Sequence, residues 1–114
     1  MGARINYVFN DGTDHAVVLY SHWGETEWQV DIANAIKHAK PRLRMNDIPY
    51  ATRMMISYLM QDAVLSETGF GIFAINPANP ELWDTTVVID MVNQVVDNHK
   101  FDDFVSYHLE VVNA

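Results

Sequence analysis

Cysteine is absent from all 114 residues. Disulfides and thiolate metal sites are therefore excluded, and a reducing compartment is the natural setting. Bases are scarce as well: seven Lys and Arg stand against fifteen Asp and Glu, a formal net charge of -8. That balance disfavours nucleic acid and anionic membrane surfaces as partners, because binding to either rests on Lys and Arg meeting phosphates. No apolar run approaches the roughly 20 residues that span a bilayer. The opening MGARINYVFN lacks the charged-then-apolar layout of a signal peptide, and Asn6 stands where a myristoylation signal carries Ser or Thr. Neither a repeat nor a low-complexity tract occurs. The expectation is a cytoplasmic protein that binds neither nucleic acid nor membrane.

What is present is material for a core. Hydrophobic residues make up 49% of the chain and aromatics 11%, too much for a disordered segment. A chain of this length makes one domain, residues 1–114, burying roughly two-thirds of its unfolded surface. Charge is unevenly placed. Residues 1–53 hold six bases and six acids, whereas residues 54–114 hold one base, Lys100, and nine acids. The plain reading of that acidic half is a solubility surface; the sharper one is a face that docks on a basic protein. Five of the seven bases lie between Lys37 and Arg53, where a small anion could find partners.

Strand patterns cover residues 4–10 and 15–21, separated by the turn residues Asn10-Asp11-Gly12, and predict a hairpin. Thr26 and Gln29 have capping-box spacing ahead of a stripe of Trp28, Ile32, Ile36 and Ala39, so a helix follows, with Pro41 as its stop. Asn46 or Asp47 caps a second helix, with Pro49 in its first turn and Ala51, Met55, Tyr58 and Leu59 facing inward. Residues 66–71 read as a turn into a strand at 72–75, and the prolines at 77 and 80 mark a loop. TTVVID, residues 85–90, is the clearest strand; a turn at 91–94 leads to a short partner at 95–98. Phe101, Phe104, Val105, Leu109 and Val112 share one face of a terminal helix. The order β-β-α-α-β-β-β-α predicts an α+β fold: a mostly antiparallel sheet with helices packed on one face.

Two segments could carry chemistry. LYSHWGETE, residues 19–27, places Tyr20, Ser21, His22 and Trp23 in a strand-to-helix loop. Its rings could stack on a planar ligand, while Ser21 and His22 hydrogen-bond and helix-start N–H groups face an anion. The competing reading packs Tyr20 and Trp23 under the first helix. SETGFGI, residues 66–72, offers Glu67, Thr68 and Phe70 beside two glycines; it is not a phosphate-cradling loop, since no Lys-Ser or Lys-Thr follows, and a simple bulge also explains it. No cofactor or metal is expected: the five histidines form no HExxH, and His22 with Glu25 has no third ligand in sequence. Ser21-His22 are neighbours whose side chains diverge in a strand, and no nucleophile elbow occurs. The chain does not read as an enzyme. Met45, Met54, Met55 and Met60 are core filling or, if exposed, part of a homo-oligomer interface.

The pieces MGAR, LYSHWGE at 19–25, PYATRMM at 49–55 and ETGFGI at 67–72 resemble a group of small proteins of bacteriophages and prophages. Glu25 departs from the second glycine usual there. The resemblance implies a phage setting, in which small accessory proteins act in host takeover or anti-defence; no activity comes with it. Positions matching its motifs are Tyr20, Ser21, His22, Trp23, Tyr50, Arg53, Glu67, Thr68 and Phe70. Taken as one ligand-binding set, they suggest a non-enzymatic protein that sequesters a small anionic, nucleotide-like ligand, Arg53 meeting a phosphate. The alternatives are an acidic inhibitor of a host protein and a small nucleotide hydrolase using His22 and Glu67.

Overall fold

A computed structural model describes residues 4–22, 27–78, 82 and 85–110. Trp23, Gly24, Glu25, Thr26 and Val112 lie outside the described residues, so the Thr26 capping box is not among the observed contacts. The expected hairpin is present. Strand β1 (Ile5–Asn10) pairs antiparallel with β2 (Ala16–Ser21), Tyr7 opposite Leu19. Short polar side chains fold the turn on itself: Asn10 Oδ1 accepts the Gly12 N–H at 3.0 Å, and Asp11 Oδ1 accepts the Thr13 N–H at 3.0 Å.

Two helices follow, α1 (Trp28–Leu43) and α2 (Ile48–Leu59). Pro41 does not stop α1. The helix runs through it to Leu43, and the bond from the Arg44 N–H to the Lys40 carbonyl, 3.0 Å, resumes the ladder beyond. Proline only removes the donor that would meet the Lys37 carbonyl, and both residues are exposed, so water can replace it. Asp47 caps α2 as expected, accepting the Tyr50 N–H at 3.4 Å, with Asn46 left-handed just before it. Arg42 ties this corner together, reaching Asp47 at 3.2 Å and lying 4.8 Å above the Tyr50 ring.

The remaining elements are β3 (Phe70–Ile75), β4 (Thr85–Asp90), β5 (Val95–Val96), β6 (His99–Lys100), α3 (Phe101–Val105) and a π-helical turn, Ser106–Glu110. The expected order is thus met except at its end. The partner expected at 95–98 is a small hairpin, because Asp97 and Asn98 both adopt positive φ, the requirement of a tight two-residue turn. The terminal helix is α-helical for only five residues before it widens.

The sheet order is β3-β2-β1-β4-β5-β6. Every pairing is antiparallel except β1 with β4, which run parallel. A parallel pair needs a crossover; here β2, α1, α2 and β3 all intervene between β1 and β4, and Leu82, ahead of β4, packs with Val8, Ala16, Val18 and Ile75. Strand alternation sends Ile5, Tyr7, Phe9, Leu19, Val87 and Ile89 to the other face. There they join Ile32 and Ile36 of α1, Ala51 and Met55 of α2, and Phe101 and Phe104 of α3 in one buried cluster. Each Val, Leu, Ile, Met or Phe among them contributes about 1.5–3 kcal/mol by leaving water. All three helices therefore share one face.

Candidate functional site

The two sequence segments singled out above meet. Strands β2 and β3 are neighbours with Ser21 opposite Phe70, and past their ends the His22 N–H donates to the Gly69 carbonyl at 3.0 Å. Gly69 has φ +103°, a conformation open to glycine at little cost. It lets the chain enter β3 directly from the turn. Beneath this junction, on the helix side, lies a cavity of about 270 Å³. Its walls include Tyr7 of β1, Ser21 of β2, Asp31 of α1 and Phe70 of β3. Tyr58 and Leu59 at the end of α2 close it, together with the turn from Met60 to Ala63.

The chemistry of these walls is uniform in sign. Two carboxylates, Asp31 and Asp62, line the cavity with no base among the lining residues. Burial, and after it the charge of Glu27, raises the Asp31 carboxyl above its ordinary range. Burial, and after it Asp31 itself, pushes the Tyr7 hydroxyl up, so it stays protonated as a donor. Among the described residues neither the Tyr7 hydroxyl nor the Asp31 carboxylate makes a hydrogen bond. Both have capacity to spare where they border open space. Phe70, Tyr58, Leu59 and Met60 supply the apolar walls. The result is a donor, an acceptor and a hydroxyl beside flat rings, which suits a neutral or cationic polar ligand.

The expected site residues divide into four groups. Ser21 and Phe70 line the cavity. Tyr20 and His22 pack edge-to-face, 5.3 Å between centroids. Glu67 and Thr68 are exposed in the turn before Gly69. Tyr50 and Arg53 lie on α2 and are not among the lining residues: Arg42 covers the Tyr50 ring, and Arg53 donates to the Ser57 hydroxyl at 3.3 Å. Trp23, as noted, is outside the described residues.

Tyr7, Asp31, Tyr58 and Asp62 were not expected. A signal for Asp31 existed. It sits three residues after Trp28 and four before Ala35, so an acid interrupts the apolar stripe of α1, where a charge has to have a use or a cost. Tyr7 shares a face with Ile5 and Phe9, and nothing in sequence sets its hydroxyl apart. Among the described residues, no group of three or more His, Asp or Glu is placed to hold a metal ion. No helix among them is long and apolar enough to cross a membrane. No family model matches the chain, and no curated protein and no solved structure matches it either.

Proposed function

We infer that this chain is a non-enzymatic binding protein that sequesters a nucleotide-like ligand, held by its base rather than by its phosphate. The observation that carries this reading is the pairing of Asp31 with Tyr7 in a ring-walled cavity where the two candidate segments join. An exocyclic amino group can donate to Asp31, a ring nitrogen or carbonyl can accept from Tyr7, and Phe70 and Tyr58 offer flat apolar contact. A cavity of about 270 Å³ has room for a base and little more. Phosphates would meet carboxylates inside it, so they belong outside. In the phage setting that the resemblance implies, removal of a host signal nucleotide is the fitting role.

Titration calorimetry with adenosine, cytidine, guanosine and their 5′-monophosphates tests the reading. Binding of at least one nucleoside is expected, with the phosphate changing affinity by less than about threefold. Asp31→Asn is expected to weaken binding by roughly 10-fold or more, the scale of one hydrogen bond to a charged group. Arg53→Ala should leave it unaltered. Absence of heat with every compound, or loss of binding in Arg53→Ala but not in Asp31→Asn, would remove the cavity from consideration.

A further inference from the structure

The outer edge of β3 offers a second observation, independent of the cavity. Among the described residues β3 ends the sheet, paired with β2 on one side. Its sequence, FGIFAI, has six residues with no charge and no proline, and Ile72 and Phe73 stay 59% and 42% exposed. Long, apolar, unprotected edges are what folded proteins usually avoid, because their free N–H and C=O groups recruit another strand.

The bond pattern says which groups are free. The His22 N–H to Gly69 carbonyl bond and the Ser21–Phe70 register make 22 and 69 a hydrogen-bonded pair. In an antiparallel ladder such pairs alternate, so Gly71, Phe73 and Ile75 turn their backbone toward β2. Phe70, Ile72 and Ala74 turn theirs outward.

We propose that β3 pairs antiparallel with β3 of a second copy of this chain, Ile72 on the two-fold axis, joining the two sheets edge to edge. This register satisfies the outward groups, since Ile72 faces Ile72 of the partner subunit and Phe70 faces Ala74 of the partner subunit. It also seats Phe73 against Gly71 of the partner subunit, in a close, non-hydrogen-bonded pair. Gly71 otherwise lacks an explanation: its φ is not left-handed, and a Cβ built there would meet nothing within 4 Å. Glycine inside a strand weakens it; an aromatic ring laid across it from the facing strand repairs that loss. The strand is thus complementary to itself, which an isologous dimer demands and which a foreign peptide would match only by chance. An uncharged seam also suits a chain carrying -8, since the repulsive charges stay away from the contact.

Sedimentation velocity at about 100 µM tests this directly. A species of twice the 13.0 kDa chain mass is expected, and added salt should strengthen it by screening the like net charges. Ile72→Lys sets two like charges opposite each other; the dimer dissociation constant should rise by at least about 10-fold, with the circular dichroism spectrum and melting unchanged. Because no native cysteine interferes, Ile72→Cys should cross-link to dimer under mild oxidation much faster than Tyr107→Cys, a residue equally exposed. A wild-type monomer, an undiminished dimer in Ile72→Lys, or equal cross-linking of the two cysteine variants would overturn the proposal.

Discussion

The two edges of the sheet are built on opposite plans. At the β6 edge the strand is two residues long, carries His99 and Lys100, and runs straight into α3. That helix is anchored in depth: Phe101 and Phe104 are buried, and Trp28 stacks on Phe104 with centroids 6.1 Å apart. Lys40 reaches Asp102 at 2.7 Å, and the Gln94 side chain donates to the Leu43 carbonyl at 3.0 Å. The β3 edge is three times as long and has neither charge nor cover among the described residues. Shortness, charge and a covering helix are the ordinary means of blunting an edge. Here shortness and charge are applied at one end of a single sheet and, among the described residues, neither at the other. The proposed pairing of β3 with a second copy would account for the contrast.

Breaking the blunted edge tests the comparison most severely. Phe104→Ala removes the ring that joins α3 to Trp28 and the core, and should cost about 3–5 kcal/mol in chemical denaturation. Amide exchange should accelerate first in β5, β6 and α3, while β3 pairing persists in whatever fraction remains folded. Asn98→Val comes next. It forces a β-branched residue into φ +64°, at a cost of about 1–2 kcal/mol, and should unpair β6 without disturbing β3.

The smallest effect concerns Asp90, at the β4 end that feeds the hairpin. Its carboxylate accepts the Val92 and Asn93 N–H groups, both at 3.0 Å, and the Asn93 side chain at 2.9 Å. Burial raises its pKa, but these bonds outweigh burial and hold it below the ordinary 3.8. A folded-state pKa below the unfolded one stabilises the protein above the unfolded value, and that stabilisation is lost as pH falls through the folded value. Asp90→Ala should therefore cost about 1 kcal/mol at neutral pH, a deficit that shrinks in melts below pH 4. Asp31 has the opposite sign: its raised carboxyl favours the fold most at low pH, and that contribution fades as pH rises.

Much of this architecture was legible in the chain, and for identifiable reasons. The hairpin across Asp11–Asp14, the cap at Asp47 and the stripes on α1 and α2 are local, set by side chains within a turn or two of each other. So is the turn at Asp97-Asn98, although reading it required giving weight to two adjacent residues that tolerate left-handed backbone. Pro41 was misleading because its effect depends on whether solvent can reach the carbonyl it leaves unpaired, which is not a local property.

Sequence alone determined that β2 ends near Ser21 and that no charge falls along FGIFAI, although β3 begins at Phe70, two residues before the expected strand at 72–75. Only the tertiary structure decided that those two ends are neighbours, that β1 and β4 run parallel, and that Tyr7, Asp31 and Tyr58 gather around one cavity. It likewise separated Arg53 from that cavity. The physical reason is range. Propensity, capping and turn chemistry act over a few residues, whereas strand neighbours and cavity walls are chosen by the global burial of apolar faces, which couples residues dozens of positions apart.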